Sequence, residues 1–155
     1  MHPLWRPWDR DQCVMGEVRD QTPTVADPAR FVYTQRVRPQ ECAASTNLGH
    51  PRFLEFFEAA FIECWRERFG SLVASLGPRR GLTLAAVDVR YLEPVRVDDE
   101  LRIEVALERI TERSIHVQYD AYVADTDVAK ARSRYVCLDS ESGKPATLPD
   151  WITRA

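Results

Sequence analysis

Residues Glu41 to Gly70, ECAASTNLGHPRFLEFFEAAFIECWRERFG, constrain this chain more than any other stretch. A polar loop, Ala43 to His50, leads into a segment opened by Pro51. Proline suits the first turn of a helix because its missing N–H has no partner there. Phe53, Leu54, Phe56, Phe57, Ala59, Ala60, Phe61, Ile62, Cys64, Trp65 and Phe69 leave only Glu55, Glu58, Glu63 and the Arg66–Arg68 end as polar interruptions. A helix that is apolar on most sides is expected to be wrapped by the rest of the fold. Gly70 is a good stop.

The remainder reads mostly as strands. Residues 31–38, FVYTQRVR, alternate and are rich in β-formers. Four further strands are expected at 82–93, 101–110, 114–124 and 129–139. In the second of these Leu101, Ile103, Val105 and Leu107 share one face; in the third Ile115, Val117, Tyr119, Ala121 and Val123 do. The short connections VDDE, ITER and DTD imply consecutive, antiparallel strands. Residues 71–81, with Gly77, Pro78 and Gly81, read as a linker. Residues 1–30 carry Pro3, Pro7, Pro23 and Pro28 and show no period, so they read as an extended arm that either docks through Trp5 and Trp8 or is a poorly ordered terminus. The expected architecture is α+β, a five-stranded antiparallel sheet wrapped around one long central helix, over residues 31–152. Strand edges of this kind often pair across a dimer.

Charge and composition exclude several classes. The net charge of -3 offers no field for nucleic acid or an anionic membrane. No apolar run approaches the roughly 20 residues needed to span a bilayer, and MHPLWRPWDRDQ lacks the apolar core of a signal peptide. Cys13, Cys42, Cys64 and Cys137 are scattered, with no CxxC pair, which reads as a reduced, cytoplasmic protein. His2, His50 and His116 have no metal-ligand spacing to each other or to cysteine, so no metal or cofactor is expected.

Chemistry is most readily placed at the loop 41–50. The free N–H groups of a helix's first turn and the positive end of its dipole point into such a loop and stabilise a negative oxygen. Glu41, Ser45, Thr46, Asn47 and His50 stand around it. His50 either serves as acid, base or substrate contact near neutral pH, or merely caps the helix. Glu58, among Phe56, Phe57, Ala59 and Ala60, is either partly buried, where a carboxyl holds its proton more tightly, or lies with Glu55, Ile62 and Arg66 on one solvated stripe. Ser45 lacks a GxSxG context for a nucleophile, and Cys42 and Cys137 are weaker candidates. Arg90, Arg96, Arg113, Arg132 and Arg134 either meet phosphates or line solvated strand faces.

The order β-α-β-β-β-β with a long central helix resembles the hotdog fold. The chain is similar to the 4-hydroxybenzoyl-CoA thioesterase-like acyl-CoA and acyl-ACP thioesterases. That group carries a segment of the form D-x-D-x-x-G-x-V-x-[HN]-x-x-Y-[LV]-x-x-x-E-x-A-R. Laid on it without gaps are Glu41, Ala43, Thr46, Leu48, His50, Phe53, Leu54, Glu58, Ala60 and Phe61. VDVRYLEPVRVDDELRIEV, ITERSIHVQYD and ARSRYVCLDSESGKPATLPDW are similar to the later strands and tail. The resemblance covers roughly residues 31–152. The chain departs from the pattern where the family's catalytic carboxylate falls on Ala43, its glycine on Thr46 and its arginine on Phe61. A gapped register instead puts Gly49 on the glycine and Thr46 on the catalytic position. Thr46-Asn47-Leu48 also resembles a loop of polyketide-pathway thioesterases that lack the acid.

The resemblance implies hydrolysis of an acyl thioester carried by CoA or acyl carrier protein, in a homodimer or homotetramer whose pocket lies between subunits. It implies catalytic roles for His50, Asn47, Glu41, Thr46 and Glu58, with the His50 backbone N–H serving the thioester carbonyl. Ser45, Gly49, Phe53, Phe57, Arg113 and Ser114 would contact substrate, and Trp65 would help wall the acyl pocket. Non-hydrolytic dehydration or cyclisation of a carrier-bound chain, and acyl-thioester binding without turnover, stand as alternatives.

Overall fold

The computed structural model describes residues 30–42, 44 and 46–155. The expected N-terminal arm, with Trp5 and Trp8, lies outside the described residues, as do Ala43 and Ser45.

The elements run β1 (Phe31–Arg36), a 3-10 turn (Pro39–Glu41), α1 (His50–Phe69), α2 (Leu72–Leu76), β2 (Arg80–Tyr91), β3 (Glu100–Ile110), β4 (Ser114–Val123), β5 (Thr126–Asp139) and α3 (Asp150–Thr153). One five-stranded antiparallel sheet has the order β1-β3-β4-β5-β2 and carries α1 on one face, the hotdog arrangement.

Helix α1 starts at His50, with Gly49 as N-cap and Pro51 in the first turn, and stops where Gly70 adopts φ 84. That left-handed backbone is open to glycine without a Cβ penalty. Its buried residues are Phe53, Phe56, Phe57, Ala60, Phe61, Cys64 and Trp65. These alternate at spacings of three and one, a single helical face. The helix is therefore not wrapped on most sides by its own chain, a correction to the reading from composition. Leu54, Glu55 and Glu58 are exposed and Ile62 is half-buried. Apolar content alone overstated the burial because Leu54, Ala59 and Ile62 fall on the outward stripe.

The strands meet α1 with alternate side chains. Leu101, Ile103 and Val105 of β3, Ile115, Val117, Tyr119 and Ala121 of β4, and Ala131, Ser133, Tyr135 and Cys137 of β5 are buried. One topological expectation is overturned. Strands β3, β4 and β5 follow as antiparallel neighbours, but β2 and β3 do not pair: β2 lies on β5 at the far edge, and β3 lies on β1. Pro94 has no N–H to extend a ladder. The segment after Tyr91 instead crosses the end of the sheet, held by Leu92 N–H to Val128 O at 2.9 Å and Leu48 N–H to Val95 O at 2.7 Å. The supposed linker 71–81 also holds a short helix, α2, capped where Ser71 Oγ accepts from the Ala74 N–H at 3.2 Å.

Helix α2 secures the far end of α1. The Trp65 indole N–H donates to Ser75 Oγ at 2.8 Å, both groups being buried. Replacing Ser75 by alanine leaves that indole donor unsatisfied. The expected loss is about 1–3 kcal/mol, the desolvation penalty of an orphaned donor, measured by urea unfolding. A loss below about 0.5 kcal/mol, the scale of ordinary surface substitutions, would show that the bond contributes nothing.

Candidate active site

The loop before α1 is pinned at both ends. The Arg38 N–H donates to Glu41 Oε2 at 2.8 Å, and the Gly49 N–H to Glu41 O at 3.4 Å. The Glu41 carboxylate is thus occupied in closing the 3-10 turn, which counts against it as the group that handles water. Isolated bridges join Cys42 to Leu48 and Asn47 to Arg96. Between them Thr46 takes φ 65. For a β-branched residue this left-handed backbone costs of order 1–3 kcal/mol, and such outliers concentrate at functional sites.

His50 is exposed at the amino end of the helix. By helix geometry its N–H has no intrahelical acceptor, while Pro51 carries none. The Tyr91 hydroxyl donates to His50 O at 3.2 Å, and the two rings lie 4.6 Å apart at 54°. Tyr91 also meets Phe53 edge-on at 5.3 Å. Burial raises the Tyr91 phenol above its usual range, so its hydroxyl keeps its proton as a donor. Sequence reasoning missed Tyr91 as a site residue, because only the tertiary fold returns the end of β2 to the start of α1.

Glu58 lies two turns further along and is exposed, not partly buried. It stands at the rim of a small cleft of about 110 Å³ between α1 and the sheet, walled by Leu54, Phe57, Leu84 and Val87. Hydroxyl groups form the floor: Tyr119 Oη and Ser133 Oγ are 3.0 Å apart, and Tyr135 lies beside them. Burial holds the Tyr119 phenol well above its usual range and raises that of Tyr135, so both stay protonated. A second, shallower cleft of about 440 Å³ shares Glu55 and Glu58 and extends over Ala59 and Ile62 to Tyr33. The hydroxyl floor was also missed from sequence; the in-facing alternation of β4 and β5 was the available signal.

Not all the sequence candidates converge. His50 and Glu58 are separated by eight residues of helix, about 12 Å. Arg113 and Ser114 sit in the turn between β3 and β4. Along β4 that turn is seven residues from Ala121, which is level with Ala129 and Tyr91, or about 23 Å from the His50 end. Phe57 lines the smaller cleft, whereas Phe53 is core beneath Tyr91. Trp65 is fully buried and lines neither of these clefts. Gly49 is the N-cap and Asn47 is half-buried in its bridge. Among the described residues the cysteines are free thiols. Burial pushes Cys64 up to about 11 and raises Cys42 and Cys137, which leaves little thiolate for nucleophilic attack. Among the described residues no group of three His, Cys, Asp or Glu side chains is placed to hold a metal ion. No described helix is long and apolar enough to cross a membrane.

The profile of the thioesterase-like superfamily matches residues 37–155, a span that takes in the loop, α1 and every residue that lines the smaller cleft. The chain belongs to that superfamily. A 1,4-dihydroxy-2-naphthoyl-CoA hydrolase of Nostoc punctiforme is 28% identical over 132 residues, covering 80% of this chain and 84% of the relative. The acyl-CoA thioester hydrolase YbgC of Escherichia coli O157:H7 is 27% identical over 123 residues, covering 79% and 92%. Among solved structures, a 1,4-dihydroxy-2-naphthoyl-CoA thioesterase from Synechocystis superposes with a TM-score of 0.70 at 22% identity, over 80% of this chain and 93% of that one. A DHNA-CoA thioesterase from Staphylococcus aureus reaches 0.75 at 14%, over 79% and 86%. At those identities the structural likeness establishes the superfamily's fold, and the sequence match establishes the membership.

Proposed function

We propose that this protein hydrolyses an acyl-CoA thioester at a site shared by two copies of the chain. One observation carries the reading: the helix whose amino end opens beside exposed His50 also holds exposed Glu58 over a hydroxyl-floored cleft. Relatives named as CoA-thioester hydrolases align over 80% and 79% of this chain, which supports the reading. In the proposed reaction water adds to the thioester carbonyl, the oxygen gathers negative charge, and the C–S bond breaks to release the acid and the thiol. The His50 N–H and the helix dipole stabilise the oxygen. The His50 imidazole, braced by Tyr91, orients the thioester, with Asn47 and Thr46 completing the loop. Glu58 takes the proton from water.

The need for two copies follows from the separation of about 12 Å between His50 and Glu58 along one helix. A thioester carbon cannot touch both within a chain. The exposed apolar residues Leu84, Tyr91 and Leu92 at the β2 edge support pairing there. The same pairing brings the Arg113–Ser114 turn of one copy nearer the loop of the other. The small cleft fits a short or single-ring acyl group.

The test is thiol release from a panel of aliphatic and aromatic acyl-CoAs. Turnover is expected, and His50→Ala is expected to slow it about tenfold or more, the scale of a lost orienting group. Absence of turnover on every CoA ester, with turnover of the same acyl groups on acyl carrier protein, would replace CoA by the carrier. Absence on both would sink hydrolysis and leave thioester binding.

A further inference from the structure

We propose that the outer face of the sheet carries an anion site for a phosphorylated ligand, built from Arg109, His116 and Arg134 with the Ser114 hydroxyl. The inference does not rest on the thioester reading, because Arg109, His116 and Arg134 face away from α1; Ser114, at the end of the row, is the one residue it shares with the substrate contacts that the resemblance implies. Alternation decides the direction: Ile115 and Val117 of β4 are buried against the helix, which turns Ser114 and His116 outward. On β3 a bulge between Leu107 and Arg109 turns Arg109 to the same side while Ile110 pairs with Ile115.

The register then sets Arg109, His116 and Arg134 abreast on three neighbouring strands. Like charges in such a row are normally avoided or neutralised. Three other cations on this face are neutralised: Lys130 lies 3.8 Å from Asp120 and 4.0 Å from Asp127, Arg132 lies 3.5 Å from Glu108, and Arg102 lies 3.7 Å from Glu104. Among the described residues no ion pair neutralises Arg109 or Arg134. The two strands that bear them are about 10 Å apart, a span that two arginine side chains close onto one phosphate group. At the edge of this row Ser114 Oγ lies 3.2 Å from His116 Nε2 and 2.8 Å from Thr111 Oγ1, which holds the hydroxyl in place.

The groups facing His116 are Arg109 and Glu108 from β3, Arg134 from β5, and Ser114 on its own strand. Burial, then Arg134 and Arg109, lower the imidazole below its usual range, and Glu108 opposes them. A bound phosphate group reverses the sign of that field. It favours the protonated ring, so affinity falls as pH rises through the His116 titration.

The experiment is calorimetric titration of the full chain with inorganic pyrophosphate at low ionic strength, at pH 6 and pH 8. Binding is expected at pH 6 and weaker at pH 8. Arg109→Ala and Arg134→Ala are each expected to bind about tenfold or more weakly, the loss of one charge-assisted contact. His116→Gln should bind with little pH dependence, and Arg154→Ala, at the carboxyl end, should match the parent. Tighter binding of ADP than of pyrophosphate, lost in the same variants, assigns the site to a nucleotide; equal affinity assigns it to the phosphates alone. No pyrophosphate binding at pH 6, full retention in the Arg109→Ala/Arg134→Ala double variant, or an equal loss in Arg154→Ala overturns the proposal. The substituted arginines are exposed, so the core is untouched and each variant is tested as a folded protein.

Discussion

Phe61→Ala is expected to destabilise the protein by about 3–5 kcal/mol, the cost of removing a buried aromatic ring and leaving a cavity. Phe61 is 1% exposed, stacks on Tyr135 with centroids 4.2 Å apart at 13°, and tilts against Trp65 at 6.0 Å. It joins the helix to the strand that floors the cleft. Domains have roughly 5–15 kcal/mol of stability in total, so the variant is expected to be near the limit of folding at 37 °C. Phe61→Arg is expected to be worse, although it restores the residue that the family pattern carries there. The guanidinium would take the place of a ring that is 1% exposed between Tyr135 and Trp65, and burying a charge there costs several kcal/mol. The expected result is little soluble protein, with no cooperative thermal transition. A Phe61→Arg protein that melts within a few degrees of the parent would mean that this part of the helix opens to solvent or to a partner acid.

Glu58→Gln is expected to lower kcat on acyl-CoA by about 100-fold or more, the scale of a removed general base, with KM little changed. Glutamine keeps the shape and the exposed position, so stability should stay within about 0.5 kcal/mol, as for surface substitutions. The shared site makes a sharper forecast. In a symmetric dimer whose sites each take His50 from one chain and Glu58 from the other, a mixed dimer of His50→Ala and Glu58→Gln chains keeps one intact site of two. Random mixing should then restore about a quarter of the parental activity, from two variants that are each poor alone. Recovery no greater than the average of the two variants would place both residues of each site in one chain, or remove one of them from the chemistry. An unchanged kcat in Glu58→Gln would remove Glu58 as the base and direct attention to the loop around Thr46 and Asn47.

Local pattern determined much of this protein. Pro51 and Gly70 bracket α1 because one needs no N–H and the other accepts a left-handed backbone. The alternation of β3, β4 and β5, interrupted at bulges, set which side chains face the helix, since a strand has a period of two. The position of His50 at a helix start was legible for the same local reason. The neighbours of β2 were not legible, because a connection of a given length does not say which edge the next strand joins. Nor was the meeting of Tyr91 with His50, or the gathering of Tyr119, Ser133 and Tyr135 beneath Glu58; each joins residues far apart in the chain through sheet order alone. Exposure of Glu58 was left open between two faces of an apolar helix, and packing chose the solvated one. Sequence decided the elements and their inward faces, because those depend on backbone geometry and nearby residues. Only the tertiary structure decided which candidates share a cleft, because that depends on where distant strands close.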